Sequence, residues 1–258
     1  MEWIDTHCHL DFSEFDEYRA GLIRKCTDDG FSALIIPGVD IDNSYRILDM
    51  VGEDALLYAA PGLHPCYCSV HRPDHLDQLA ALLERNRVVA MGEIGLDLYH
   101  SDIDIDRQYM FFETQLDMAE AFNLPVILHV RKAHDKVTAI LKRRSGRLHG
   151  VVHAFSGSAQ QADNYLANGF LLGIGGVVTH ERARKIRSVV AGIPDEAYVL
   201  ETDAPDMSPA FAQGVANSPL NLPAIAECVA SLRGQAVEDV ARVSTANARQ
   251  LFGLQEIL

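Results

Sequence analysis

The chain has 258 residues, 48% apolar and 22% charged, which are globular proportions with enough apolar mass for a substantial core. A formal net charge of −14 argues against extensive duplex binding by counterion release, which normally needs a basic surface, and does not exclude a small local phosphate site. Five scattered cysteines, Cys8, Cys26, Cys66, Cys68 and Cys228, are expected as free thiols rather than as a disulfide framework; Cys66-x-Cys68 is a possible soft-metal pair without a second Cys pair to complete it. No apolar run approaches a membrane span, and Met1-Glu2-Trp3 carries an acid where a secretory leader needs a base. A cytoplasmic protein with no membrane association and no obligate protein partner is expected.

In chain order, short apolar runs alternate with helical patterns. Residues 3–7 read as a first strand. Ser13 then opens a helix with Phe15, Tyr18, Leu22 and Cys26 on one face, and Gly30 closes it. Strands are predicted at 33–39, 56–63 and 88–94. A helix at 106–123 places Tyr109, Phe112, Leu116 and Ala119 at helical spacing. A fifth strand is predicted at 126–130 and a sixth at 150–154. Ser158 and Gln161 form a capping box, and that helix runs through Leu166 to a stop at Gly169. Strands at 170–174 and 198–202 bring the number to eight, and two helical patterns follow at 221–232 and 237–252. Strands apolar along their whole length suit a parallel sheet covered by helices. Eight βα units predict an α/β fold, a closed (β/α)8 TIM barrel with residues 1–258 as a single domain. A dinucleotide-binding open sheet would want G-x-G-x-x-G after the first strand, and Asp5-Thr6-His7-Cys8-His9 offers no such loop.

What stands at the strand ends carries the chemistry. Strand 1 ends in His7-x-His9, strand 3 in Gly62-Leu63-His64-Pro65, and strand 4 in Gly92-Glu93-Ile94-Gly95-Leu96-Asp97. Strand 5 ends in His129-Val130-Arg131, strand 6 in His153-Ala154-Phe155-Ser156-Gly157, and strand 8 in Glu201-Thr202-Asp203-Ala204-Pro205. In a barrel these ends converge on one face. A lone His-x-His is more often a loop accident, and a lone strand-end His a hydrogen-bonded structural residue. The same chemistry recurring at the same end of these strands reads instead as a metal centre. Imidazoles with carboxylates suit Zn, Mn, Ni, Fe or Co, and Mg less well. The number of donors suggests two ions sharing a carboxylate, about 3.5–4 Å apart, which lower the pKa of bound water to about 7. Asp203 would hold that water and accept its proton.

Three separated motifs then match a known family. Ile4-Asp5-Thr6-His7-Cys8-His9-Leu10-Asp11, Pro125-Val126-Ile127-Leu128-His129-Val130-Arg131-Lys132-Ala133-His134-Asp135 and Leu200-Glu201-Thr202-Asp203-Ala204-Pro205 resemble the signatures of the TatD-type metal-dependent hydrolases, often described as TatD-related deoxyribonucleases, and most of all their bacterial YjjV-like branch. The resemblance covers nearly the whole chain. It implies that His7, His9 and Asp203 hold one divalent ion, that His129 and His153 hold a second, and that Glu93 bridges them. It implies that Glu93 and Asp203 are catalytic. His64 and Glu201 would lie beside the ions, to position substrate or to help with a third ion, and Arg131 would face a phosphate or carboxylate of the substrate. One departure is that residues 211–219 contain no Arg, where family members often carry one before Asn-x-Pro.

Two substrate readings follow. The first is metal-dependent phosphodiester hydrolysis at a DNA end or single strand. It draws on two basic clusters: Arg131, Lys132, Lys136, Lys142, Arg143, Arg144 and Arg147, and then Arg182, Arg184, Lys185 and Arg187. Tyr67, Tyr99 and Phe155 are candidates for base stacking. The alternative is hydrolysis of a small amide, ester or phosphoester by the same machinery. A metal-binding barrel without turnover is disfavoured by the complete donor set. Of the remaining histidines, His100 and His134 are expected nearest the bowl.

Overall fold

The computed structural model describes residues 1–85, 87–99, 104–144 and 146–254. Eight parallel strands alternate with helices: β1 (Trp3–Asp5), β2 (Phe31–Pro37), β3 (Leu57–Ala60), β4 (Met91–Asp97), β5 (Val126–Arg131), β6 (Gly150–Val152), β7 (Phe170–Ile174) and β8 (Tyr198–Leu200). Between and after them lie α1 (Arg19–Asp28), α2 (Ile41–Val51), α3 (Asp74–Leu83), α4 (Ile105–Phe122), α5 (His134–Arg143), α6 (Ala159–Leu166), α7 (Arg184–Gly192), α8 (Leu222–Arg233) and α9 (Val237–Phe252).

Regular ladders join β1-β2-β3 and β4-β5-β6-β7-β8. Sparse backbone bonds close these two sheets into the barrel. On one seam, Val89 N donates to Ala59 O at 3.0 Å and Gly92 N to Pro61 O at 3.0 Å. On the other, Thr6 N donates to Leu200 O at 3.1 Å, Asp203 N to His7 O at 2.8 Å and His9 N to Ala204 O at 2.7 Å. Alternate strand residues part into two buried clusters, as a period of two requires. Leu34, Ile36, Leu128 and Leu172 pack in the larger cluster with residues of the helices. Ile4, Ile35, Ile127, Val151 and Val199 form a smaller inner cluster, which Phe252 and Leu254 join from the end of α9. No helix among the described residues is long and apolar enough to cross a membrane.

The helix signals have direct physical outcomes. Ser158 and Gln161 cap α6 reciprocally, and Asn123 closes α4 in a left-handed conformation at φ 51°. The expected start of the first helix is corrected. Ser13–Phe15 is a 3-10 turn, and α1 begins only at Arg19. The Arg19 guanidinium donates to Leu10 O at 2.7 Å, Phe12 O at 3.0 Å and Asp16 Oδ1 at 2.5 Å, which holds this segment as a loop. The regular ladders of β1, β6 and β8 also end earlier than the apolar runs. Ala154 and Asp203 take positive φ, 45° and 57°, and turn the chain out of the sheet where the polar residues begin.

Candidate metal centre

The seam between β1 and β8 positions the first group of donors. Asp5, fully buried, accepts from Thr202 Oγ1 at 2.5 Å, Thr202 N at 3.0 Å and His7 N at 3.2 Å. It thereby ties the segment carrying His7 and His9 to the segment carrying Asp203. His7 Nε2 lies 3.3 Å from His9 Nε2, 3.3 Å from Glu93 Oε2 and 3.5 Å from Asp203 Oδ1. His9 Nε2 is 3.9 Å from Glu93 Oε2 and 3.7 Å from Asp203 Oδ1.

The other oxygen of Glu93 faces a different set. Its Oε1 lies 2.8 Å from His129 Nδ1, 3.4 Å from His64 Nε2 and 4.0 Å from His153 Nε2. His153 Nε2 is also 3.5 Å from Asp203 Oδ2, and its ring stacks on His7 with centroids 3.6 Å apart. Glu93 thus stands between two groups of imidazoles and turns one oxygen to each. Donor atoms at these separations can share an ion bound at about 2.0–2.2 Å, as N and O ligands of transition metals are. His7, His9 and Glu93 form one such group, and His7, His153 and Asp203 another.

Two carboxylates outside the expected set support the donors, Asp97 through a ring and Asp5 through the backbone. Asp97 Oδ2 is 3.0 Å from His129 Nε2, which leaves Nδ1 facing Glu93. Asp97 is four residues beyond Glu93 on β4, on the same strand face, so its spacing was the available signal. Asp5, two residues before His7, had the same kind of signal. Glu201 differs from its expected place at the substrate. It is buried behind His153, with Oε1 3.0 Å from Nδ1 and accepting from Ala154 N at 2.6 Å. Gly173 makes the room: a Cβ there would stand 2.2 Å from Glu201 Oε2.

Burial and neighbouring charges split the imidazoles into two electrostatic classes. Burial, helped by His153, pushes His7 well below the ordinary imidazole range, and burial pushes His9 down to about 4 and lowers His64. Burial also opposes charge on His129 and His153, but carboxylates prevail. Asp97 and Glu93 raise His129 to about 9, and Glu201, Asp203 and Glu93 raise His153 to about 10. Burial alone would raise Glu93, yet His64, His153 and His7 hold it well below the carboxylate range. Burial lifts Asp203 to about 8, with Glu93 and Glu201 adding and His153 opposing. Neutral imidazoles carry a lone pair for a cation, and the protonated pair must release a proton to bind one. The donor set fits divalent ions of the zinc or manganese kind.

The donors open into a cavity of about 530 Å³, lined in part by His9, His64, Glu93, His129, His153 and Asp203. Arg131, Tyr67, Phe12, Asp206 and Met207 form part of its wall. Arg131 stacks over Tyr99 at 3.8 Å, and Lys132 lies 4.7 Å from the same ring. Phe12 stacks on His9 with centroids 4.6 Å apart. Several residues of the basic clusters have structural partners. Arg144 pairs with Asp117 at 2.5 Å and Glu120 at 2.9 Å, Arg147 with Glu120 at 3.1 Å, and Arg143 with Glu113 at 3.2 Å, which clamps the α4 side to the α5 side. Arg187 donates to Val178 O at 2.8 Å. Phe155 is buried against Tyr165 and His134, so it offers no stacking face, and His134 sits 3.1 Å from the Tyr165 hydroxyl rather than in the cavity wall. His100 lies outside the described residues. All five cysteines are free thiols.

Comparison with known proteins follows the same outline. The profile of the family described as TatD related DNase matches residues 4–253. The chain is 39% identical to the metal-dependent hydrolase YjjV of Escherichia coli over 254 residues, 98% of each chain. It is 34% identical to the 3'-5' ssDNA/RNA exonuclease TatD of Erwinia amylovora over 258 residues, 97% of this chain and 99% of that one. The crystal structure of Escherichia coli YjjV superposes with a TM-score of 0.94 over 98% of each chain. An organophosphorus hydrolase of Deinococcus radiodurans, 13% identical with a TM-score of 0.68 over 97% of this chain and 92% of that one, shares the barrel fold.

Proposed function

The chain belongs to the TatD-related DNase family, and we propose that it is a nuclease hydrolysing phosphodiester bonds near an end of single-stranded nucleic acid, with two divalent ions in one cytoplasmic barrel domain spanning residues 1–258. The observation that carries this reading is Glu93, whose two oxygens face separate donor groups across a buried floor. In this reading His7, His9 and Asp203 hold one ion, His129 and His153 hold the other, and Glu93 belongs to both. Bound there, such ions supply Lewis acidity toward a phosphoryl oxygen and bring the pKa of water to about 7.

The chain's own residues supply the rest. Asp203 accepts the proton of the attacking water through its carboxylate. Arg131, half exposed at the cavity wall, offers its planar fork to the non-bridging phosphate oxygens. Tyr99 braces the guanidinium from below. Tyr67, edge-on to the His64 ring, presents a partly exposed ring for a terminal base. Glu201 and Asp97 act through His153 and His129 rather than on substrate.

A second reading, hydrolysis of a small amide, ester or phosphoester, has one observation in its favour. Among the described residues, the cavity wall carries one arginine, Arg131, and the acid Asp206, in keeping with a net charge of −14. The discriminating experiment is a panel on protein loaded with Mn²⁺ or Zn²⁺: single-stranded DNA, bis-p-nitrophenyl phosphate and simple amides. Turnover of DNA that shortens labelled strands from one end supports the nuclease. Amide turnover with no phosphodiester turnover replaces it with the second reading.

A further inference from the structure

The reaction uses no cysteine, and Cys66 is the one that stands beside the metal centre. The turn Pro65–Tyr67 is capped by His64, whose Nδ1 accepts from Cys66 N at 3.1 Å. That turn brings the Cys66 thiol to the outer flank of the metal centre, where it is exposed to solvent. Its Sγ donates to Asp97 Oδ2 at 3.2 Å, and the same oxygen lies 3.0 Å from His129 Nε2. His64, Cys66 and His129 each offer a ligand atom within 4.8 Å of the others. Cys68, the other half of the Cys-x-Cys pair, is buried and takes no part in this group.

We propose that Cys66 Sγ, Asp97 Oδ2 and His129 Nε2 form a flank site for a soft divalent cation such as Zn²⁺ or Cd²⁺. A thiolate selects such cations over Mg²⁺ or Mn²⁺. One sulfur, one imidazole nitrogen and one carboxylate oxygen suit a tetrahedral ion with bonds of about 2.0–2.3 Å, and the exposed position leaves the fourth place to water. Binding releases the thiol proton and the His129 Nε2 proton to solvent, and the cation takes their places. The same ring presents Nδ1 to Glu93, so the flank site and the centre are coupled through His129. A cation on the flank removes the Asp97 hydrogen bond that orients the ring and adds a positive charge beside the ion on His129 and His153. Soft cations therefore loosen that ion and slow turnover. The coupling rests on the two-ion reading; the site itself does not, because it is detected without turnover.

The test titrates Mn²⁺-loaded protein with CdCl₂, following the ultraviolet thiolate-to-cadmium charge-transfer band and the electron paramagnetic resonance signal of released Mn²⁺. The wild type should develop the band with one added cation and release Mn²⁺. Cys66→Ser should lose the band and bind Cd²⁺ at least about tenfold more weakly, and Cys68→Ser should keep both. A wild type without the band, or a Cys66→Ser protein that retains it, overturns the site. The band without Mn²⁺ release overturns the coupling and leaves the nuclease reading to its own panel.

Discussion

The two sides of the centre are built differently. On the β1/β8 side, His7, His9 and Asp203 are buried, and Asp5 bridges their segments from below with three accepted hydrogen bonds. On the β4/β5 side, His129 is half-buried, Arg131 is 50% exposed, and one carboxylate, Asp97, serves imidazole and thiol together. The sealed side resists rearrangement. On the proposed reading, the more exposed side, with Arg131, is the one that meets substrate. On the proposed two-ion reading, this difference predicts unequal hold: the inner ion, on His7, His9 and Asp203, tightly, and the outer one, on His129 and His153, loosely.

The comparison breaks most visibly at the base. Asp203→Asn should cut kcat by about 10²–10⁴-fold while the circular dichroism melt stays near wild type. Activity within a few fold of wild type would remove Asp203 from the mechanism. Asp5→Ala attacks the sealed side instead. It orphans buried donors on Thr202 and His7, at about 1–3 kcal/mol each, so urea unfolding should shift by several kcal/mol. An unchanged midpoint would show that the seam does not depend on Asp5.

Asp97→Asn sharpens the contrast on the open side. It should weaken the outer ion by about 10–100-fold and leave the inner one nearly unchanged, so a metal titration should separate into two phases. Equal weakening of both ions would contradict the inequality. The smallest effect concerns protons. His129 and His153 are raised to about 9 and about 10 by carboxylates, so at pH 7 each is protonated before a cation arrives. Binding must expel these protons. Affinity should therefore rise as pH rises toward those values and fall as pH drops. Calorimetry in buffers of different ionisation enthalpy should show net proton release, and its absence at pH 7 would refute the assignment.

Much of this was legible in the residues. The eight apolar runs and their polar ends marked the barrel and the donors, because a parallel barrel must place every strand end on one face. The supporting groups were harder to see. Asp5 and Asp97 sit in the same motifs as His7 and Glu93, but spacing along a strand says nothing about which carboxylate turns toward an ion and which toward a ring. Glu201 was expected at substrate for the same reason; the space left by Gly173 decides otherwise. The basic clusters illustrate the opposite limit. Arg143, Arg144 and Arg147 look like a phosphate surface in one dimension, and acids of α4 take them in three.

The central claim is a two-ion centre with Glu93 shared between unequal sites. Its most direct test is anomalous diffraction from crystals soaked in Mn²⁺. Two peaks about 3.5–4 Å apart on either side of Glu93 are predicted, one on His7, His9 and Asp203 and a weaker one on His129 and His153. A single peak, or two peaks that do not share Glu93, would contradict the account.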